Sequence, residues 1–225
     1  MKTTSIIVGV VIIAITALRF QTNFTTNNVN PTTYELSIEE SKLRWTGSWI
    51  SPIKEGEKVH KHKQSTRYPN MKIDKQHVGT VKLTEGVVQQ HNKDDRDISG
   101  QFTVDLTTIN NTDLKDKMKD RLEGHLKSPE FLDVSQYAQA KVTIQNVQPD
   151  SAQLSINVMD VQLEQTIPLV TFVQDNKMML RGDFSIDMSS LNFALATPNP
   201  EKPEEGHIDP TIDFTIDATL NQKKP

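Results

Sequence analysis

Apolar and polar residues alternate along most of the chain beyond residue 34, with the period of two that is typical of half-buried β-strands. In one such run, single polar residues separate Phe102, Val104 and Leu106. Equivalent runs occur at 42–46, 81–84, 142–144, 154–158, 180–186 and 212–217. Each predicted strand therefore has one apolar face and one polar face. Because the connections are short, we expect an all-β antiparallel meander of at least seven strands that closes into a barrel and thereby removes its exposed edges.

One short helix is expected within this all-β pattern, between residues 113 and 127. Asn110, Asn111 or Thr112 can cap its start. Helical spacing places four residues on one face, namely Leu114, Met118, Arg121 and Leu122. A single helix inserted among strands indicates a barrel that is closed at one end and encloses a binding space.

Turn-forming residues separate the predicted strands. Short turns are expected at 84–86, 148–151 and 175–177. Two longer segments interrupt the alternation. Residues 48–70 are rich in lysine and histidine and are interpreted as a long basic loop, whereas residues 197–210 contain four prolines and are expected to be an irregular loop.

The N-terminal residues differ from the rest of the chain. Lys2 precedes an apolar run of about thirteen residues that ends before Arg19, which is the size of a secretory signal and shorter than the roughly twenty residues of a bilayer span. Residues 1–20 are therefore interpreted as a signal peptide or, since no A-x-A cleavage site follows, as an uncleaved signal anchor. The polar residues 21–33 are expected to be a flexible linker, and residues 34–222 a single barrel domain.

Composition excludes several classes of function. The 225 residues carry a net charge of −4 and no basic cluster typical of nucleic-acid binding. The chain contains no cysteine, which excludes disulfides, thiolate metal sites and a thiol nucleophile. It also lacks a Gly-rich phosphate loop, a G-x-S-x-G motif and an H-E-x-x-H motif. We therefore expect a protein that is not an enzyme, uses no cofactor and binds no nucleic acid.

The most specific stretch of sequence lies between residues 77 and 140. It contains HVGTVKL at 77–83, GQFTVDLTTI at 100–109 and LEGHLKSPEFLDV at 122–134. In this order the three phrases resemble the YceI-like polyisoprenoid-binding family of bacterial exported proteins, and weaker agreement extends from Tyr34 to the end of the chain. The resemblance implies an extended, lipocalin-like antiparallel β-barrel of about eight strands, whose apolar cavity holds a long isoprenoid or fatty chain.

The inward-facing apolar residues are the main candidates for contact with such a ligand. The predicted lining consists of Trp45, Phe102, Val104, Leu106, Leu126, Phe131, Val142, Ile144, Leu154, Ile156, Phe184 and Phe214. Eight strands can enclose either a packed interior or one small ligand, so the alternation leaves a dry packed core as the alternative. The aromatic content of 6% leaves few bulky side chains to fill the interior and favours a cavity.

Two groups of polar residues were weighed as further sites. His125 and Lys127 follow the predicted helix and could bind a phosphate or carboxylate head group at the barrel mouth; alternatively, His125 satisfies a loop carbonyl and Lys127 is solvated. His60 and His62 have the i, i+2 spacing of metal ligands on an extended segment, but no third ligand is fixed nearby. We expect no metal site there and interpret these histidines as part of a solvated basic loop that could approach anionic lipid head groups.

The sequence as a whole favours an exported lipid-binding protein, periplasmic or attached to the outer side of the membrane through its N-terminal segment. Its partner would be a long-chain lipid or isoprenoid, held for sequestration or transport. The alternatives are an accessory to an envelope enzyme and an interaction scaffold with a packed barrel. The oligomeric state stays open, with a dimer as one option.

Overall fold

The computed structural model describes residues 31–92, 97–193, 199 and 201–224. These residues form eleven strands and one α-helix. The strands are β1 (Thr32–Leu36), β2 (Lys42–Pro52), β3 (Met71–Gln90), β4 (Ile98–Asn111), β5 (Gln139–Gln145), β6 (Ser151–Val158), β7 (Val161–Pro168), β8 (Val170–Gln174), β9 (Lys177–Asp187), β10 (His207–Ile208) and β11 (Thr211–Gln222). The helix, α1 (Asp116–Lys127), lies between β4 and β5. The predicted antiparallel all-β fold with one inserted helix is confirmed. The structure has more strands than the expected eight, and the alternating runs recognised in the sequence did not include β1, β7, β8 or β10.

The described strands join into one antiparallel sheet that curls into a lipocalin-like barrel. From β7 the order runs through β6, β5 and β4 to β3. Next to β3, both β1 and β2 pair with β3 on one side and with β11 on the other. The strand β11 also pairs with β9, and β9 pairs with β8. The strands β7 and β9 lie next to each other where the sheet meets itself, and the side chain of Gln165 donates a hydrogen bond to the carbonyl oxygen of Ser185 across this seam.

One end of the barrel is filled by side chains. Val88, Met178 and Leu220 have no exposed surface. The β-strand register places Tyr34 opposite Val88, and the Tyr34 hydroxyl donates to Oε1 of Gln90 over 3.1 Å. Burial raises the pKa of Tyr34, so its phenol stays protonated and keeps this hydrogen bond at physiological pH. The barrel is therefore closed at this end.

A close approach between β2 and β3 depends on Gly79. The register pairs Gly79 with Trp45, whose indole Nε1 donates to the carbonyl oxygen of Thr80 over 3.3 Å. A β-carbon at residue 79 would overlap both the indole ring and the carbonyl oxygen of Asn110. Glycine at this position therefore allows the large ring to lie against the inner face of the sheet.

The predicted turn at 84–86 is wrong, because these residues lie inside β3. The polar Thr84 and Glu85 with Gly86 have the composition of a turn, but the strand absorbs the irregularity as a register shift between Leu83 and Glu85. A β-carbon at Gly86 would lie 2.6 Å from the ring of Phe102, so the glycine makes room for a core aromatic. The turns expected at 148–151 and 175–177 are confirmed.

The helix starts later than the sequence predicts. Instead of capping α1, the Asn111 side chain accepts a hydrogen bond from the Leu114 N–H over 2.8 Å and donates one to the Val78 carbonyl over 3.0 Å. These bonds fix a non-helical segment that precedes Asp116 and links it to β3. Met118, expected on the buried face, is 60% exposed.

The two predicted loops are shorter than expected. The strand β2 continues to Pro52, so the basic loop spans 53–70 and includes a short 3₁₀ helix at Lys61–Lys63. Its residue Arg67 pairs with the carboxylates of Asp209 and Asp213, which fastens the loop to β11 and the segment before it. In the proline-rich segment, residues 194–198 and 200 lie outside the described residues, and the remainder contains a 3₁₀ helix (Pro203–Glu205) and β10.

The N-terminal predictions fall mostly on residues that the structure does not describe. Residues 1–30 are outside the described part, which includes the predicted signal segment and most of the predicted linker. The first strand begins at Thr32, two residues before the predicted start of the barrel domain, and the last ends at Gln222. Within the described residues, no helix has the length and apolar character required to cross a membrane.

Candidate ligand cavity

A cavity of about 440 Å³ lies inside the barrel, and its wall is mostly apolar. All twelve apolar residues that the sequence predicted to face inward line this cavity. The barrel therefore contains a hollow rather than the packed interior considered as an alternative. Contact of these side chains with a ligand stays a prediction.

The strand register brings the predicted residues together. On neighbouring strands, Val142 lies opposite Phe102 and Ile156, and Ile144 lies opposite Leu154. Paired residues on antiparallel strands point to the same side of the sheet, so the apolar stripes of β4, β5 and β6 merge into one continuous surface. This surface forms one wall of the cavity.

Aromatic rings form other parts of the wall. Phe184 and Phe214 are paired across β9 and β11, and their ring centroids lie 5.8 Å apart. In the segment after α1, Phe131 stacks on Phe193 with 4.1 Å between centroids and lies 6.2 Å from the His125 ring. Rings held by such contacts keep their positions and give the cavity a fixed shape.

Polar side chains enter the wall on β2, β3 and α1, and they are Ser48, Lys75, His77 and His125. The register places Lys75 opposite Trp49 and His77 opposite Gly47. Lys75 is exposed to solvent although it lines the cavity. Because this side chain contacts both the cavity and the solvent, it marks the cavity opening. The opening therefore lies at the C-terminal end of β2 and the N-terminal end of β3.

His77 is held by the segment that precedes α1. Its Nδ1 lies 2.9 Å from Oδ2 of Asp113, and the other carboxylate oxygen accepts the Val78 N–H over 2.8 Å. Partial burial acts to raise the pKa of Asp113, but the hydrogen bonds from His77, Val78 and Asn111 outweigh it, so the pKa is lowered overall. The ionised carboxylate thus favours a proton on Nδ1 and leaves Nε2 of His77 available to another group.

His125 faces the cavity from α1. Its Nε2 is buried and has no hydrogen-bond partner, and its Nδ1 is 3.8 Å from Oε2 of Glu130, which is too long for a hydrogen bond. The loop carbonyl that was considered as its partner is therefore not bound by the ring. Lys127, the other residue expected at the head group, does not line the cavity. The face of α1 that lines the cavity consists of Leu122, His125 and Leu126, and Lys127 is not on this face.

Sequence reasoning missed Lys75 and His77. Residues 48–70 were interpreted as a loop, and the strand after it was recognised only from Val81 and Leu83, whereas β3 begins at Met71. The available signal was register: residues 75, 77, 79, 81 and 83 share one face of β3, and Val81 and Leu83 had been recognised as its apolar members. Continuing this alternation towards the N-terminus would have placed both basic residues in the wall.

The two histidines of the basic loop lie side by side on the surface. His60 and His62 stack with their ring centroids 5.6 Å apart, and both are exposed. In the part of the chain that the structure describes, no three side chains of His, Asp or Glu come together as metal ligands would.

The sequence from residue 34 to residue 220 matches the YceI-like domain family. The chain belongs to the YceI-like family. The match spans the barrel from β1 nearly to the end of β11, and the two strands and the helix region that carried the sequence resemblance lie within it. No curated protein matches the chain.

Two solved structures were found to be similar to this chain. BcnA from Burkholderia cenocepacia superimposes with a TM-score of 0.55 at 15% identity, over 82% of this chain and 98% of that one. A polyisoprenoid-binding domain from Saccharophagus degradans has a TM-score of 0.49 at 13% identity, over 85% of this chain and 99% of that one. At these identities the BcnA likeness supports the fold alone.

Proposed function

We propose that this protein is an exported lipid-binding protein that holds a long apolar chain, isoprenoid-like or fatty-acid-like, in its barrel cavity for sequestration or transport. The observation that carries the proposal is a hollow of about 440 Å³ whose wall is almost entirely apolar. Membership of the YceI-like family supports it. Export is supported by the apolar segment that follows Lys2.

The size of the cavity indicates the length of chain that it can enclose. A water molecule, which is similar in size to a methylene group, occupies about 30 Å³, so the cavity has room for roughly fifteen carbon atoms. Burial of each methylene contributes about 0.8 kcal/mol, or about 12 kcal/mol for the chain. Lost translational and rotational freedom costs at least about 4 kcal/mol, so at most about 8 kcal/mol remains, which corresponds to a dissociation constant no tighter than about 1 μM. A longer chain would extend through the opening beside Lys75.

A binding role is favoured over an enzymatic one by the composition of the wall. Among the described residues that line it, the titratable ones are Lys75, His77 and His125. A rigid apolar wall fits retention of a ligand rather than its conversion.

Organic extraction of the purified protein followed by mass spectrometry tests the proposal. We expect one long-chain lipid per chain when the protein is isolated from its own envelope fraction. Recovery of the protein from the cytoplasm, or an extract without lipid from protein that also fails to bind added farnesol, would contradict the proposal.

A further inference from the structure

The titratable side chains of the described cavity wall are all basic. Lys75, His77 and His125 are basic, and no aspartate or glutamate is among the described residues that line the cavity. This contrasts with the whole chain, in which 29 acidic residues outnumber 25 lysines and arginines. A wall with cationic and no anionic side chains is electrostatically suited to a ligand with negative charge.

Lys75 and His77 are positioned by regular strand geometry. They are two residues apart on β3, so their side chains point to the same side of the sheet, towards the cavity. Among the described residues, no carboxylate forms an ion pair with Lys75, although neighbouring Lys72 pairs with both Glu57 and Asp74. The ammonium group of Lys75 is thus free to meet a ligand at the opening.

His125 supplies a second observation from a different element. Its buried Nε2 lacks a hydrogen-bond partner among the described residues, and an unpaired buried polar group is unfavourable. The helix that carries it is tied to the barrel, because the Asn111 N–H donates to Oε1 of Glu123 over 2.7 Å. A ligand oxygen that accepts a hydrogen bond from Nε2 would remove this cost without moving α1.

We propose that Lys75, His77 and His125 form a head-group subsite that selects lipids ending in an anionic phosphate or carboxylate. This inference rests on the proposed function, because the apolar chain must occupy the cavity to bring its head group to the opening. In this arrangement Lys75 supplies the charge, Nε2 of His125 donates a hydrogen bond from α1, and His77 lies beside Lys75 on β3. Neutral lipids of equal length would gain only the burial of their chains.

The test compares ligands that share one chain and differ in the head group. Farnesyl phosphate and farnesol are titrated into the full chain, and fluorescence is followed from Trp45 and Trp49, the two tryptophans of the protein, which both line the cavity. We expect farnesyl phosphate to bind about tenfold more tightly, as one charge-assisted hydrogen bond provides. Oleate and oleyl alcohol repeat the comparison for a carboxylate, and inorganic phosphate is added as a competitor to distinguish a lipid site from a site for the free ion.

Two variants distinguish the subsite from a general effect of charge. Lys75→Gln should abolish the preference for farnesyl phosphate over farnesol, whereas Lys82→Gln, on the exposed side of the same strand, should keep the preference. His125→Phe should also weaken farnesyl phosphate without weakening farnesol.

Several results would overturn the head-group assignment alone. They are equal affinities for the charged and neutral ligands in the unaltered protein, an equal loss for both ligands in Lys75→Gln, and displacement of farnesyl phosphate by millimolar inorganic phosphate. Failure of every lipid to bind would instead contradict the proposed function.

Discussion

Filling the cavity from within is the most direct test of its role. Ala140 lies on β5, is 6% exposed and lines the cavity. Phenylalanine has six more carbon atoms than alanine, and at about 30 Å³ each these would occupy about 180 Å³. The substitution Ala140→Phe would therefore leave roughly 260 Å³, or room for about nine chain carbons instead of fifteen.

The loss of volume converts into a loss of affinity. Excluding six methylene groups removes about 5 kcal/mol of burial at 0.8 kcal/mol each. Part of the ligand's hydrocarbon chain can still be buried near the opening, so the full loss is not expected. We expect the affinity for farnesol, measured by tryptophan fluorescence titration, to fall by at least 100-fold. The melting temperature of the variant should stay the same or rise, because the new ring fills space and buries apolar surface.

The matched control places the same ring on the other side of the sheet. Gln139 precedes Ala140 on β5 and is exposed. Gln139→Phe should bind farnesol as the unaltered protein does. Unchanged farnesol binding by Ala140→Phe, with a native melting temperature, would refute the placement of the ligand in this cavity. A similar loss in both variants would show that the effect does not come from cavity volume.

Three further changes test packing and electrostatics around the cavity. In urea denaturation, Gly79→Ala should lower the free energy of unfolding by about 2 kcal/mol through overpacking, whereas Gly124→Ala, whose β-carbon meets nothing within 4 Å, should raise it by about 0.8 kcal/mol. Asp113→Asn should lower it by about 1 kcal/mol at pH 7. Because folding lowers the pKa of Asp113, its contribution is complete above the unfolded pKa and is lost as the pH falls through the folded one, so the stability difference between the variant and the unaltered protein should shrink as the pH falls through the folded pKa. Arg67→Ala should cost about 3 kcal/mol in the same assay by leaving the buried Asp209 without its guanidinium partner, and adding Asp209→Asn should recover part of the loss.

Each of these expectations has an outcome that contradicts it. Equal changes in the free energy of unfolding for Gly79→Ala and Gly124→Ala would mean that the indole of Trp45 does not pack closely against β3 at Gly79. A stability difference for Asp113→Asn that persists at pH 2.5 would show that its carboxylate charge is not the source. Strictly additive effects of the Arg67 and Asp209 changes would mean that the two side chains do not interact.

The cavity wall could be predicted because its residues follow one local rule. Phe102 and Val142 were recognised as inward-facing from alternation alone, and the register of β4 and β5 brings them together. The rule fails where a strand is irregular. Thr84 to Gly86 resembles a turn in composition, and only the partner strand shows that the chain continues as β3 with a shifted register.

The cavity opening was harder to predict because composition opposed the alternation. Residues 48–70 are rich in charged residues and histidine, which suit a solvated loop, yet β2 continues through Trp49 to Pro52. Pairing with β3 decides this, since backbone hydrogen bonds formed between the two strands satisfy a polar segment that local propensity assigns to a loop. Lys75 enters the wall only as a consequence of this pairing.

The hollow depends on side-chain size at inward positions rather than on their polarity. Both ends of the barrel present apolar side chains to the interior, but at the closed end Met178 and Leu220 meet and exclude all solvent. Towards the opening, the inward positions include Gly47 and Ala140, which contribute almost no volume to the interior. An alternation of apolar and polar residues does not distinguish alanine from leucine. It therefore predicts which residues face inward but not whether their side chains are large enough to contact each other across the barrel interior. Small residues such as Gly47 and Ala140 at inward positions are therefore a sequence signal that favours a cavity over a packed core.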